Sequence, residues 1–169
     1  MLGQNTSNVG TVVLSNLDAA YRLARWHFRT EPEAESVVQE ASEKAFQEFT
    51  AFSTETGRVW FLRIVSRICA ERTDEAARFD RISGTHYDRA GSPGRDHQRI
   101  NDVTQLEEAI RTLPSDLREV LVLRELEGLS YQELADLMGV PIEAVTAMLS
   151  RGRQTLGRAL TELLVAAEV

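Results

Sequence analysis

A chain of 169 residues with 43% apolar content and a net charge of −7 has room for one domain or two very small ones around a buried core. No apolar run approaches the ~20 residues of a membrane span, and no charged start followed by an apolar core marks a secretory leader. Cys69 is the only cysteine, which excludes a disulfide framework and a cysteine-based metal cluster, so the expectation is a soluble cytoplasmic protein without membrane insertion.

In chain order, residues 1–11 are polar and are expected to fray. Residues 14–28 read as a helix with Leu17, Tyr21, Ala24 and Phe28 on one side. A second helix is predicted over 33–49. Pro32 sits in its first turn, where a missing N–H costs nothing, and Glu31, Glu33 and Glu35 complement the positive end of its dipole. Residues 31–56 hold seven acids and one base, Lys44, the only lysine in the chain. Gly57 opens a third helix through about residue 77, with Trp60, Phe61, Ile64, Val65 and Ile68 as its apolar face. Cys69 continues that face and reads as a small core hydrophobe. Six arginines oppose four acids over 57–81, so acid and base are segregated along the chain.

Periodicity then disappears. Residues 80–103 mix Gly84, Gly91, Pro93 and Gly94 with Ser, Asp, Arg and His, too long a stretch for a loop inside a compact domain. It reads as a flexible linker. No strand pattern occurs anywhere. The expected fold class is all-α: one small helical domain over 12–79, the linker over 80–103, and a second helical domain over 104–169.

The second domain carries a helix-turn-helix pattern. Leu117, Val120, Leu121, Leu123 and Leu126 recur at helical spacing up to Gly128. Ser130 and Glu133 form a capping-box pair at the start of a helix of about two turns, with Leu134, Ala135 and Met138 inward. Gly139 permits a tight turn, and Pro141 precedes a longer helix with Val145, Leu149 and Leu156 on its apolar stripe. Ala135 allows two helices to cross closely, and Val145 fills the crossing. Such a unit lays its second helix in the DNA major groove, although αα-hairpins with Gly turns also serve plain packing.

The wording "LPSDLREVLVLRELEGLSYQELADLMGVP" resembles the promoter-recognising C-terminal domain of extracytoplasmic-function sigma factors, the small initiation subunits of bacterial RNA polymerase. Leu113, Pro114, Arg118, Glu119, Val120, Glu127, Gly128, Leu129, Ser130, Tyr131, Glu133 and Ala135 carry that likeness. In the N-terminal half, "AAYRLARWHFRTEPEAESVVQEASEKAFQEF" is similar to the sigma domain that docks on the polymerase β′ clamp. The stretch "GRVWFLRIVSRICAERTDE" resembles the helix that opens and reads the −10 element.

The resemblance implies roles for individual residues. Glu33, Glu35, Gln39 and Glu40 would meet core RNA polymerase at its β′ clamp. Trp60, Arg63, Arg67 and Arg72 would meet the −10 element, although the spacing of Trp60 from Ile64 reads first as core. Glu143, Ala144, Thr146, Ala147, Met148, Ser150, Arg151 and Arg153 would face the −35 element. Promoter DNA and an anti-sigma factor are the further implied partners, the regulator being inserted between the two domains.

Several DNA-facing positions depart from the family wording. The Asn of the −10 helix is absent, Glu71 replaces Asp, and Ala144, Ala147 and Met148 stand where Thr, Ser and Arg are usual. Glu143 puts negative charge where the recognition helix approaches phosphate. Two readings follow: a sigma factor that reads promoters only within the holoenzyme, or a sigma-like interaction module that has lost promoter reading. No Ser/His/Asp set, P-loop or paired-carboxylate pocket is present, and His27, His86 and His97 lack ligand spacing. The expectation is therefore no enzyme, no catalytic residue, no metal, no cofactor and no small-molecule substrate.

Overall fold

The computed structural model describes residues 2–49, 56–83 and 102–167. All regular structure among them is helical. The N-terminal half contains α1 (Leu2–Ser15), α2 (Leu17–His27), α3 (Glu31–Glu48) and α4 (Gly57–Ser83). The C-terminal half contains α5 (Asp102–Thr112), α6 (Ser115–Leu121), a π-helical segment (Val122–Leu126), α7 (Tyr131–Met138) and α8 (Ile142–Ala167). No described helix is long and apolar enough to cross a membrane. The linker expected over 80–103 lies mostly outside the described residues. Its first residues prolong α4 to Ser83, and its last open α5 at Asp102.

The polar start, expected to fray, is helical from Leu2 onward. It forms α1, because Val9 and Val13 recur at helical spacing and are buried against the rest of the N-terminal half. The single helix expected over 14–28 is instead broken at Asn16. Its Nδ2 donates to Val12 O at 2.8 Å and Ser15 Oγ donates to Thr11 O, so both side chains bond to carbonyls at the end of α1. The inward face of α2 is Ala19, Ala20, Leu23 and Ala24; of the expected face Ala24 is fully buried, while Leu17, Tyr21 and Phe28 are half-buried and pack against the edge of the core.

Small residues set the spacing of the bundle. Ala34, Val37, Ala41 and Ala45 are the buried face of α3, so that α2 and α4 come close on either side. Phe61 is fully buried on α4, with Leu62, Val65, Ile68 and Cys69 around it. Burial pushes the Cys69 thiol up to about 12, which makes it inert as a nucleophile at neutral pH.

In the C-terminal half, α6 and α7 pack on α8. The predicted stripe Leu117, Val120, Leu121 and Leu123 is buried, but Leu126 is 53% exposed. The π segment explains the difference. Glu127 N bonds to Val122 O at 3.2 Å and Leu129 N to Leu123 O at 3.0 Å, so the extra residue rotates Leu126 off the stripe. The two halves meet where α7 lies on α4 and α6 on α2.

Candidate functional site

The helix-turn-helix is built as its local sequence dictates. Ser130 Oγ accepts from Glu133 N at 3.1 Å, and Ser130 N donates to the Glu133 carboxylate at 2.7 Å, which closes the capping box. Gly139 ends α7 with φ +66°, and Val140 N bonds back to Ala135 O at 3.1 Å. A side chain at Gly139 would be strained in that left-handed conformation.

Pro141 O then accepts from Ala144 N and Val145 N as α8 begins. Val145 and Leu149 point into the core, which turns Glu143, Thr146, Ala147, Ser150, Arg151 and Arg153 outward. Ala144 and Met148 are half-buried, and Met148 packs against the core. Thr146 Oγ donates to Ile142 O at 3.0 Å. Arg153 pairs with Glu125 at 2.7 Å, and this hydrogen bond is the main cause holding its guanidinium above the ordinary value.

On α4 the proposed −10 residues do not share an open face. Trp60 is half-buried, edge-on to Phe49 with centroids 5.5 Å apart. Arg63 Nη2 donates to Asp136 O at 2.7 Å, Arg67 pairs with Glu48 at 3.0 Å, and Arg72 pairs with Glu40 at 2.6 Å and Ser36 Oγ at 3.1 Å. Arg72 and Glu40, read from sequence as parts of two different surfaces, thus touch.

The acids of α3 divide likewise. Glu33 accepts from Thr30 Oγ1 at 2.6 Å near the start of the helix, and Glu40 is held by Arg72 and Lys44. Glu35 and Gln39 instead line a groove of about 470 Å³ between α2 and α3, with Glu43 beside them and Leu17, Tyr21, Val38, Ser42 and Phe46 as the remaining lining. The sequence reading missed this groove. Its signal was present, since Val38, Ser42 and Phe46 recur every four residues along α3 and Leu17 and Tyr21 do so on α2.

Residues 104–156 match the family model "Sigma-70, region 4". The RNA polymerase sigma-H factor of Pseudomonas aeruginosa is 32% identical over 147 residues, covering 78% of this chain and 75% of that protein. This chain belongs to the extracytoplasmic-function sigma factors. The ECF RNA polymerase sigma-E factor of Escherichia coli K12 is 28% identical over 141 residues, covering 76% of this chain and 74% of that one. Among solved structures, the sigma factor RpoE in complex with the anti-sigma factor NepR from Bartonella quintana superposes with a TM-score of 0.76 at 21% identity, covering 91% and 97% of the two chains. CnrH in complex with the cytosolic domain of CnrY gives 0.67 at 24%, covering 94% and 90%. At these identities the two structures establish a shared fold.

In this sigma factor the halves are joined by polar contacts that sequence spacing could not reveal. Glu127, with its side chain 1% exposed, receives Arg22 in a two-bond fork at 2.7 and 2.9 Å and Arg58 at 3.1 Å. Glu119 accepts from Ser66 Oγ and lies 3.2 Å from His27 Nε2. Arg118 donates to Trp26 O at 2.8 Å and Arg111 to Arg25 O at 3.1 Å, so both guanidinium groups cap the carbonyl end of α2. Burial, with Arg25 and Arg29 nearby, holds Arg111 below its ordinary value.

Glu40 makes a testable pH statement. The hydrogen bond from Arg72, with a smaller one from Lys44, outweighs partial burial and holds its carboxyl below the ordinary 4.5. A group with a depressed folded pKa stabilises above its unfolded value and loses that contribution as pH falls through the folded one. Glu40→Gln should therefore lower denaturant stability at pH 7, with the gap to the native chain closing below about pH 4.5. Equal gaps at pH 7 and pH 3 in urea titrations would show that the pair contributes nothing.

Proposed function

We propose that this sigma factor binds core RNA polymerase through the α2–α3 groove and its acidic rim and guides it to promoters in the cytoplasm. On this reading α8 reads the −35 element and α4 engages the −10 element. The outward face of α8 carries the proposal: Glu143, Thr146, Ala147, Ser150 and Arg151 are exposed on a helix held by a capped helix-turn-helix. The Bartonella sigma factor of the same fold is bound to the anti-sigma factor NepR, and we extend control by an anti-sigma factor to this protein. The domain limits 12–79, 80–103 and 104–169 belong to the same reading, with α1 added to the first domain. It needs no catalytic group, metal or cofactor.

A second reading has a specific observation behind it. Arg67, Arg72 and Arg153 are neutralised by Glu48, Glu40 and Glu125, and Glu143 stands at the start of α8, which suits a sigma-like module that binds proteins only. Run-off transcription with core polymerase on genomic fragments tests the pair. Promoter-specific transcripts are the expected result. Without core, the acidic chain should bind duplex weakly.

The variant Glu143→Gln with Ala147→Arg removes a carboxylate and adds a cation at two exposed positions. It should tighten duplex binding and steepen its salt dependence by about one phosphate, a slope change near −0.9. An unchanged slope together with loss of a protein partner would favour the interaction module.

A further inference from the structure

Arginines collect at one helix end. Arg25 lies in the last turn of α2 and Arg29 just beyond it, while Arg111 and Arg118 reach the same place from α5 and α6. The carbonyls there account for part of the cluster. Arg111 Nη1 donates to Arg25 O at 3.1 Å, Arg118 Nη1 to Trp26 O at 2.8 Å, and Arg25 Nη1 to Arg29 O. Arg118 Nη2 donates to Arg111 O and Leu113 O, both at 2.9 Å. Arg111 also sits over the Trp26 ring, 5.1 Å from its centroid. These contacts hold three of the four guanidinium groups in fixed positions.

The charge there is not balanced. Among the described residues, the acids that act on Arg111 are Glu107 and Glu108, and Arg29 meets Glu108 at 3.9 Å, too far for a hydrogen bond. Four cations against two carboxylates and the roughly half charge of a helix end leave a surplus of about one and a half charges. The arginines repel one another. Burial first, then Arg25 and Arg29, hold Arg111 below its ordinary value, and burial, Arg111 and Arg29 do the same to Arg118. Arg118 Nε is buried and has no hydrogen-bond partner among the described residues. Arg29 is 44% exposed, so the cluster opens to solvent on that side. A counter-anion relieves such crowding, in a chain whose net charge is otherwise −7. Groups from three helices converge on one point instead of forming a stripe, which suits a compact anion and not the long backbone of a duplex.

We propose that Arg25, Arg29, Arg111 and Arg118 form a binding site for a compact diphosphate anion, free or as the diphosphate of a nucleotide. Arg29 and the remaining donors of Arg25 and Arg111 take the phosphoryl oxygens in charge-assisted hydrogen bonds, and Arg118 supplies fixed positive charge behind them. Diphosphate fits better than a carboxylate because its two tetrahedral groups offer oxygens to several guanidinium forks at once, with enough charge to cancel the surplus. The site shares no residue with the outward face of α8 or with the α2–α3 groove. It therefore stands apart from the promoter reading.

Calorimetric titration of the full chain with inorganic pyrophosphate, at constant ionic strength, tests the site. One equivalent is expected to bind, and the melting temperature should rise with its concentration. Arg29→Gln with Arg111→Gln should weaken binding on the order of 100-fold, about tenfold for each charged donor group removed. Arg29→Gln alone alters an exposed position and should cost about tenfold, which keeps the test decisive if the double variant melts early. Arg78→Gln with Arg158→Gln removes the same charge from exposed sites elsewhere and should bind as the native chain does. Guanosine and adenosine diphosphates distinguish the two sources of the anion: tighter binding than pyrophosphate assigns a nucleotide, and equal or weaker binding assigns the free anion. Heats and melting shifts no larger than those given by sulfate at equal ionic strength would overturn the site. So would equal losses of affinity in the two double variants, since net charge alone would then explain them.

Discussion

Reversing Glu35 and Glu43 to lysine is expected to abolish association with core RNA polymerase while leaving thermal stability almost unchanged. Both acids are exposed and rim the groove floored by Leu17, Tyr21, Val38 and Phe46. Phe46 is 51% exposed, a large apolar group whose burial by a partner would be favourable. A cationic helix laid in the groove would desolvate both carboxylates against its own charges. Losing one such pair costs roughly 2–5 kcal/mol, so two reversals should weaken binding by at least about 100-fold. Stability should move by no more than about 0.5 kcal/mol, because the intramolecular bond at stake, Gln39 to Glu43 at 3.1 Å, lies on the surface. Glu40 is left alone, since reversing it would set a third cation against Arg72 and Lys44 and confuse binding with folding. Undiminished co-purification of the double variant with core enzyme would refute the assignment of the groove.

The second large effect is structural and strikes the recognition helix from behind. Gly152 is buried where α8 crosses α6. A Cβ there would lie 3.0 Å from Leu121 Cδ1, 3.1 Å from its Cγ and 3.5 Å from Leu117 O. Gly152→Leu would push four carbons into space already filled by a core side chain and a backbone carbonyl. Overpacking of that kind costs on the order of 2–3 kcal/mol, or roughly 5–10 °C in melting temperature for a chain of this size. Promoter binding should fall with it, since α6 and α8 hold the helix-turn-helix together. Gly152→Ala should be close to neutral, because a helix-propensity gain of about 1 kcal/mol offsets the tight contact. Leu121→Ala placed with Gly152→Leu should recover part of the loss, as coupled neighbours do. If Gly152→Leu melts with the native chain, the crossing is looser than the geometry indicates.

Much of the fold was legible without coordinates because its signals are local. The capping box of Ser130 and Glu133, the left-handed Gly139 and the Val145–Leu149 stripe each join residues no more than four apart, and each formed as expected. The same reasoning covers the apolar face of α4 and the burial of Cys69. Local reading failed where side chains competed with the backbone or where a turn changed pitch. Ser15 and Asn16 broke one expected helix into two, and the π segment turned Leu126 into solvent.

The site residues divide along the same line. That α8 presents Glu143, Ala147 and Arg151 outward follows from a 3.6-residue repeat, and a likeness in wording sufficed to place the chain among the sigma factors. That Arg67 and Arg72 are paired across to α3, that α2 and α3 leave a groove between them, and that Glu119 and Glu127 join the two halves were decided only by the tertiary structure. Arg22 and Glu127 are 105 residues apart, and nothing in the periodicity of either segment records the other. Side-chain periodicity is set by the backbone of one helix, whereas ion pairing depends on which helices the buried alanines and leucines bring together.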